Sequence, residues 1–183
     1  VSRVVVEEQC LRSALELGGT VVVDQRGSET MLVPLDMRRI EERVALNLTD
    51  RVRVPLPPLV KEVDTVAYAI AHRRGLNAEQ YQAIQAILSS ALTVVTGGPG
   101  TGKSYFCQAL AELAAQQQIA ILAAAPTGRA AQRLTEVAGL PAFTLHRVLE
   151  YQPNTGTFLR NADYPLATSL LVIDEASMID LVL

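Results

Sequence analysis

The sequence predicts an α/β protein with a parallel sheet, on three observations. From Leu76 onward, short aliphatic runs alternate with stretches of helical spacing, as in strand–helix–strand units. A glycine-rich segment at 97–104 lies between a predicted strand and a predicted helix. An aliphatic run at 170–173 is followed at once by two acids. Ahead of this region, the pattern predicts a small α+β helix–hairpin unit.

The first third of the chain, residues 1–52, is predicted to form that small unit. Helical spacing over Val5–Leu17 is followed by two glycines, a common helix stop. The apolar runs Thr20–Val23 and Thr30–Val33 are joined by a polar stretch and suit a hairpin. A helix followed by a hairpin fits a winged-helix module and a plain packing unit equally well.

A linker region is predicted over residues 53–75. An amphipathic helix over Asp36–Leu48 precedes it, and the prolines within Val52–Pro58 require extended or looped chain there. We expect the boundary of the small unit at this point. A second helix, Val60–Arg74, is predicted to end at Gly75.

The α/β region, residues 76–183, is predicted to alternate between helices and strands. In chain order these are a helix Asn77–Ser89, a strand Leu92–Thr96, a helix Ser104–Gln118, a strand Ile119–Ala125, a helix Thr127–Ala138, a short helix Thr144–Tyr151, a polar loop Gln152–Ala162 and a strand Leu170–Ile173. Each strand in this order is separated from the next by helix or loop, as parallel pairing requires.

Composition narrows the class of protein. With 183 residues, 49% hydrophobic and 4% aromatic, the chain can bury an aliphatic core without disulfides or metals. The net charge of −3 does not indicate a nucleic-acid binder. Cys10 and Cys107 fit no metal-ligand spacing, so reduced, structural thiols and a cytoplasmic location are expected. No run is long enough to predict a membrane span, and no signal peptide is visible.

The segment 97–104, Gly-Gly-Pro-Gly-Thr-Gly-Lys-Ser, fits the phosphate-loop pattern in full. Glycines allow several backbone N–H groups to converge on one anion, and the following helix adds its free N–H groups. Lys103 can reach the β and γ phosphates, and the Ser104 hydroxyl can hold Mg²⁺. The alternative is a glycine-rich turn that binds nothing. We predict a nucleoside triphosphate site formed by Gly98, Pro99, Gly100, Thr101, Gly102, Lys103 and Ser104.

Asp174 and Glu175 follow the aliphatic run Leu170–Ile173, and Asp174 lies 71 residues after Lys103. In open α/β sheets, ligands bind at the carboxyl ends of the strands. Asp174 is therefore predicted to hold the Mg²⁺ of the triphosphate through water, and Glu175 to orient or deprotonate the attacking water. On its own, this pattern would be equally compatible with an ordinary strand end.

Four segments together resemble motifs I, Ia, Ib and II of the RecD-like superfamily 1 DNA helicases, which include the exonuclease V alpha subunit. They are Thr96–Ser104, Ala125–Ala131, Thr144–Arg147 and Asp174–Asp180, in that order. The resemblance is specific over about residues 76–183, fainter over 30–75 and poor before that. It implies a RecA-like phosphate-loop sheet, ATP and Mg²⁺ as cofactors, and an ATP-dependent helicase or translocase of DNA repair and recombination.

The resemblance also implies that Gln80 recognises adenine, since an amide can both donate to and accept from the base edge. Asn77 with Gln80 is equally an acceptable capping box for the helix that begins there.

DNA contacts are implied for two segments, Pro126-Thr127-Gly128-Arg129 and His146-Arg147. Thr127 and the backbone at this turn can bind a DNA phosphate. Arg129 and Arg133 share one helical face, which can follow a strand's backbone or simply be solvated. A histidine beside an arginine on a short helix also has a purely structural interpretation.

The chain departs from the family after motif II. No third motif, second RecA-like domain or arginine finger follows, and the family's strand between the phosphate-loop strand and the Asp-Glu strand comes later in sequence than both. We therefore expect a truncated, incomplete sheet in a fragment that binds Mg·ATP with little turnover alone.

The expected partners are single-stranded DNA, duplex DNA ends and the subunits of a nuclease–helicase complex, with no membrane. The alternatives are a protein-remodelling or clamp-loading ATPase and a non-hydrolysing, nucleotide-binding regulatory subunit.

Overall fold

The computed structural model describes residues 21–26, 29–53, 56–98, 100–180 and 183. The predicted helix Val5–Leu17 and Cys10 lie outside these residues. The contacts divide the chain into two compact units, with the division between Asp50 and Arg51.

The first unit contains the predicted hairpin, which is confirmed. Strands β1 (Val21–Arg26) and β2 (Glu29–Pro34) pair antiparallel, with Val21 opposite Pro34 and Arg26 opposite Glu29. The strands are longer than predicted, because polar residues 24–26 and 29 join the ladder rather than the turn. Helix α1 spans Leu35–Arg53 and outlasts the predicted helix by five residues at its carboxyl end. The prediction that the chain is already extended at Val52 is wrong: proline disfavours helix only for the residue immediately before it.

The second unit begins with three helices that share one apolar core. They are α2 (Val63–Arg74), α3 (Ala78–Ser89) and α4 (Lys103–Gln116). Helix α2 starts three residues later than predicted, because the Leu59 amide donates to the Leu88 carbonyl and holds this segment against the end of α3. It ends as predicted at Gly75, which adopts the left-handed conformation (φ 60°).

The core of these helices positions the start of α4. Its fully buried members are Ala67 and Ile70 from α2, Ile84 and Leu88 from α3, and Phe106, Ala109, Leu110 and Leu113 from α4. Burying each large aliphatic or aromatic side chain contributes about 1.5–3 kcal/mol. Phe106 lies in the first turn of α4, so this turn is attached to the core.

The parallel sheet predicted by the strand–helix alternation is confirmed. Its order is β4 (Ala142–Thr144), β3 (Ile121–Ala125), β7 (Leu170–Ile173), and both pairings are parallel. Strand β4 was not predicted. Because parallel strands end at the same edge, the residues after Ala125, Thr144 and Ile173 all emerge at one edge of the sheet.

Three consecutive alanines allow helices to approach β3 from both faces. Helix α5 (Gly128–Ala138) packs on Ala123 and Ala125, while the short helix α6 (Leu145–Val148) packs on Ala124. This alternation follows from the two-residue period of side chains along a strand. The small side chains bring both helices, and the segments that open them, close to the edge where β3 ends.

The predicted strand Leu92–Thr96 is wrong. Among the described residues, no strand pairs with this segment, and β7 has a partner on one side only. A strand requires a ladder partner for its backbone groups, and apolar composition alone does not supply one. Val94 and Val95 are accordingly 77% and 43% exposed, and Ile173 at the unpaired edge is 37% exposed.

The region after β4 contains a second unpredicted feature. The short helix predicted over Thr144–Tyr151 is confirmed only for Leu145–Val148, and Tyr151 instead opens a small antiparallel hairpin. Its strands are β5 (Tyr151–Gln152) and β6 (Thr157–Phe158), and all but Tyr151 lie within the predicted polar loop. Arg160 donates two hydrogen bonds, of 2.9 and 2.6 Å, to a Glu150 carboxylate oxygen and closes the base of this hairpin.

No helix in the described ranges has the length and apolar character that crossing a membrane requires.

An ion-pair cluster joins α2 to α4. The Glu112 carboxylate accepts from Arg73 Nη1 at 2.8 Å and from Arg74 Nε at 2.6 Å. The hydrogen bond from Arg74, followed by that from Arg73, lowers the pKa of Glu112 below its ordinary value. A carboxyl whose pKa is lower in the folded state stabilises the protein above its unfolded-state pKa, and that stabilisation is lost as pH falls through the folded-state value.

We therefore expect Glu112→Gln to flatten the dependence of stability on pH at acid pH. The wild type should lose free energy of unfolding more steeply than the variant as pH falls below about 4.5. Urea unfolding at pH 6 and at two values below 4.5 measures this difference. Equal slopes in the two proteins would show that the ion pairs do not contribute to folding.

Candidate nucleotide-binding site

The glycine-rich segment forms a tight loop that ends in helix α4. Gly102, the residue before the helix, has φ 79°, and a side chain there would meet the Gln80 amide at 3.1 Å. At Gly97, an added Cβ would lie 2.6 Å from the Thr101 hydroxyl, which is closer than Cβ contacts occur. The backbone conformation therefore favours glycine at position 102, and a side chain at position 97 would require the Thr101 hydroxyl to move. Pro99 lies outside the described residues.

The first turn of α4 carries no capping side chain. Asn77 caps α3 and Thr127 caps α5, whereas neither Gly102 at α4 nor Glu62 at α2 makes a side-chain cap. The first N–H groups of a helix have no intrahelical partner, and together with the helix dipole they form a site for an anion. The uncapped end thus fits a phosphate group.

Lys103 is held by the loop itself. Its ammonium donates to the Gly97 carbonyl and, at 3.0 Å, to the Gly98 carbonyl. The Thr101 hydroxyl also donates to the Gly98 carbonyl, at 2.9 Å. A bound polyphosphate has to replace these carbonyls as the acceptor for Lys103, and its negative charge makes it the stronger acceptor.

Asp174 and Glu175 stand at the carboxyl end of β7. The Asp174 amide extends the sheet by donating to the Ala124 carbonyl at 3.0 Å, and the Glu175 amide donates to Asp174 Oδ1 at 2.9 Å. Glu175 has φ 53°, a left-handed conformation that is uncommon for a residue with a side chain. The chain turns sharply here into a 3₁₀ turn at Ala176–Met178. Strain of this kind clusters at functional sites.

Asp174, at the end of β7, is related to the phosphate-loop helix α4 through Cys107 and Val172. Cys107 lies one turn after Lys103 on α4. Burial, reinforced by the negative charge of Asp174, raises the pKa of its thiol to about 11. Val172, two residues before Asp174, packs against the core that includes Phe106 in the first turn of α4, so the end of β7 lies beside this helix. The thiol itself stays protonated near neutral pH, as expected of a structural cysteine.

The chemistry of these groups suits a magnesium–nucleotide complex. Mg²⁺ prefers hard oxygen ligands and is usually held by one or two protein oxygens together with substrate phosphates and water. The Ser104 hydroxyl, the first side chain after Lys103, and the Asp174 carboxylate are such oxygens. The described part of the chain contains no cluster of three His, Cys, Asp or Glu side chains that could bind a metal by itself.

Gln80 touches the phosphate loop. Its side-chain oxygen accepts from the Asn77 amide at 3.1 Å, which together with Asn77 Oδ1 completes the capping box. Its amide nitrogen donates to the Thr101 carbonyl at 3.4 Å. The capping interpretation is thus confirmed, and contact with adenine stays a prediction. The side chain adjoins the loop that would hold the phosphates.

The residues predicted to contact DNA emerge at the same sheet edge. Thr127 follows β3, and its hydroxyl accepts from the Ala130 amide at 3.2 Å, so it caps α5. Pro126 precedes this cap, Gly128 opens the helix, and Arg129 and Arg133 are exposed along it. Since Ala125 pairs with Thr144, the segment with His146 and Arg147 lies beside this turn.

Aromatic contacts around His146 support the interpretation that this histidine has a structural role. The sequence suggested that role but could not test it. The imidazole packs against Tyr151 and Phe158, at centroid distances of 5.2 and 5.8 Å. The Arg147 guanidinium lies 4.6 Å from the centre of the Phe143 ring. Sequence reasoning missed these partners, because β4 and the hairpin that supply them are too short to give a pattern.

Comparison with known proteins gives one matching family and several relatives. A family model described as "AAA domain" matches residues 80–183. The chain is 44% identical over 106 residues to the ATP-dependent RecD2 DNA helicase of Deinococcus radiodurans, covering 58% of this chain and 14% of that protein.

Further relatives include RecBCD enzyme subunits. The chain is 40% identical over 127 residues to subunit RecD of Mycolicibacterium smegmatis, covering 56% of this chain and 23% of that protein. It is 38% identical over 128 residues to RecD of Mycobacterium tuberculosis, covering 57% and 22%. The chain thus spans less than a quarter of the length of these relatives. The resemblance that the four motifs indicated is confirmed.

Proposed function

The chain belongs to the AAA-domain family, and from that premise we propose that residues 76–183 form the Mg·ATP-binding part of a RecD-like DNA helicase or translocase. One observation carries the proposal: Val172 of β7 packs against the core to which Phe106, in the uncapped first turn of α4, belongs, so the strand that ends at Asp174 adjoins the helix that follows the phosphate loop. The relatives named RecD and RecD2 favour DNA as the polymer along which the protein moves.

Each residue of the site has one proposed role. The backbone amides of the loop and Lys103 bind the β and γ phosphates, and Ser104 and Asp174 hold Mg²⁺, which supplies charge neutralisation when bound. Glu175 orients or deprotonates the attacking water. The Gln80 side-chain amide recognises adenine. Its nitrogen gives up the hydrogen bond to the Thr101 carbonyl, and the amide forms hydrogen bonds with the edge of the base instead.

DNA is proposed to bind along the edge where β3 and β4 end. The contacts would be the turn Pro126–Arg129 and the pair His146-Arg147, which the register of Ala125 with Thr144 makes neighbours. Contacts between helix starts and DNA phosphates fix the position of a DNA strand without reading its sequence. Single-stranded DNA and duplex ends are therefore the proposed partners, together with the subunits of a nuclease complex.

We propose that the 183-residue chain alone binds Mg·ATP but turns it over slowly. Phosphoryl transfer gains about 10³–10⁵ in rate from an arginine finger. Four arginines follow residue 75. Arg160 is hydrogen-bonded to the Glu150 carboxylate, and the Arg147 guanidinium lies over the Phe143 ring. Arg129 and Arg133 follow β3 on the proposed DNA edge.

The experiment that tests the proposed function is ATP hydrolysis by the whole protein with and without single-stranded DNA. We expect stimulation by DNA that weakens as salt is raised, because phosphate contacts release counterions. Hydrolysis that is indifferent to DNA would favour a remodelling or clamp-loading ATPase. Nucleotide binding without hydrolysis under either condition would favour a regulatory subunit.

Two variants at Thr127 separate DNA binding from helix capping. Thr127→Ala removes the cap, which costs about 1 kcal/mol, as well as the proposed phosphate contact. Thr127→Asp keeps a good cap and places a negative charge where a DNA phosphate would bind. We expect both to lose most of the stimulation by DNA while only Thr127→Ala loses stability, measured by ATPase assay and thermal unfolding. Full stimulation in Thr127→Asp would remove this turn from the DNA site.

A further inference from the structure

The first turn of α4 has to be held in place without a cap. Asn77 and Thr127 fix the starts of α3 and α5 through side-chain hydrogen bonds to their N–H groups. In α4 those N–H groups face the proposed phosphate site, and a capping side chain would compete with the ligand for them. Support for this turn therefore has to come from its sides.

Two adjacent side chains supply that support from different directions. Phe106 is buried in the core shared by α2, α3 and α4. Tyr105, on the exposed side of the same turn, donates its hydroxyl to the Arg74 carbonyl at 2.6 Å. Arg74 is the last residue of α2, where carbonyl groups lack helical partners, so the bond also satisfies an acceptor that would otherwise depend on water.

The anchor point at the end of α2 is itself fixed. The Arg74 guanidinium lies 5.6 Å from the centre of the Tyr105 ring and donates to Glu112, two turns further along α4. Arg73 donates to the same carboxylate, and Gly75 ends α2 in a left-handed conformation. Tyr105 is thus attached to a helix end that has several attachments of its own.

We propose that Tyr105 is a positioning residue for the phosphate site, holding the first turn of α4 so that the amides and Lys103 are ready for the polyphosphate. The inference rests on the proposed binding of Mg·ATP and adds a residue that the motifs do not include. A site that is already ordered does not spend binding energy on ordering the turn. Loss of the tyrosine hydroxyl should therefore weaken binding even where the fold is intact.

The test compares Tyr105→Phe, which removes only the hydroxyl, with Tyr164→Phe, which removes a hydroxyl from a side chain 71% exposed elsewhere. Mg·ATP affinity is measured by calorimetry at a temperature well below both unfolding midpoints, so that a loss of stability alone does not change it. A neutral hydrogen bond corresponds to about a two- to tenfold change. We expect that weakening in Tyr105→Phe and wild-type affinity in Tyr164→Phe.

Hydrogen exchange of the nucleotide-free protein gives a second readout. The Phe106 amide donates to the Gly102 carbonyl at 2.9 Å within the same turn. Its exchange should accelerate about two- to tenfold in Tyr105→Phe, with no change in α5. Normal Mg·ATP binding by the wild type, with affinity and exchange unchanged in Tyr105→Phe, would overturn this inference alone. Failure of the wild type to bind Mg·ATP would overturn the proposed function and this inference with it.

Discussion

Replacing Lys103 by alanine is expected to weaken Mg·ATP binding by about 10- to 150-fold, the effect of losing a charge-assisted hydrogen bond. In the free protein the ammonium is bonded to the Gly97 and Gly98 carbonyls, so it already lies over the loop that would receive the phosphates. Removing it takes away a positive charge facing several negative oxygens. The loss should appear directly in a calorimetric titration of the chain with Mg·ATP.

The sequence provides a matched control for this variant. Lys61 is the only other lysine and is exposed, so Lys61→Ala removes the same side chain away from the loop. Lys103 lies at the start of α4, where alanine is a good helix former, and the variant should therefore fold. Equal affinity for Mg·ATP in Lys103→Ala and Lys61→Ala would remove Lys103 from the site.

Glu175→Gln is expected to lower ATP turnover by the whole protein about 10²- to 10⁴-fold while leaving Mg·ATP affinity nearly unchanged. Glutamine keeps the size and hydrogen-bonding reach of the side chain but cannot take a proton from water. Glutamine would adopt the same backbone conformation as Glu175, with φ 53°, so the substitution adds little new strain. Phosphate release at saturating Mg·ATP, with calorimetry of the same preparation, separates turnover from binding.

A second carboxylate serves as the reference for this prediction. Glu136 is exposed on α5, where it accepts from Gln132 at 3.0 Å, and it has no part in the proposed site. Glu136→Gln should hydrolyse ATP like the wild type. If Glu175→Gln also keeps full turnover, the carboxylate does not act on the water, and the regulatory-subunit alternative gains support.

Local signals in the sequence predicted the elements that depend on local chemistry. The helix after Asn77 begins at a capping box whose two residues are visible in sequence, and the helix before Gly75 ends at a glycine in the left-handed conformation. The aliphatic run at 170–173 forms a strand of the expected length, although its side chains are only partly buried. In the two helices, neighbouring residues supply the interactions that decide where the helix begins or ends.

The wrong or missing predictions concern elements whose structure depends on residues far away in the sequence. Leu92–Thr96 has the composition of a strand, but a strand also needs a neighbour, and none lies beside it in the described residues. Strand β4 has three residues and no period to detect, and it forms because β3 offers a parallel edge. The bond from Tyr105 to the Arg74 carbonyl joins residues 31 positions apart. Sequence spacing carries no information about such a contact.

The candidate site shows the same division. The loop pattern and the Asp-Glu pair identified Lys103, Ser104, Asp174 and Glu175 as candidates before any geometry was known. The folded chain adds what the pattern could not contain. Lys103 donates to loop carbonyls, Gln80 already bonds to the loop, and Val172 just before Asp174 packs against the core of the phosphate-loop helix.

The most direct test of the central claim is a crystal structure of the chain with Mg²⁺ and a non-hydrolysable ATP analogue. We expect the β and γ phosphates on the amides of the loop and the first turn of α4, with Lys103 released from the Gly97 and Gly98 carbonyls. Mg²⁺ should be bound by the Ser104 hydroxyl, with the Asp174 carboxylate one water molecule away. Phosphates bound elsewhere, or Asp174 and Glu175 turned away from them, would contradict the account.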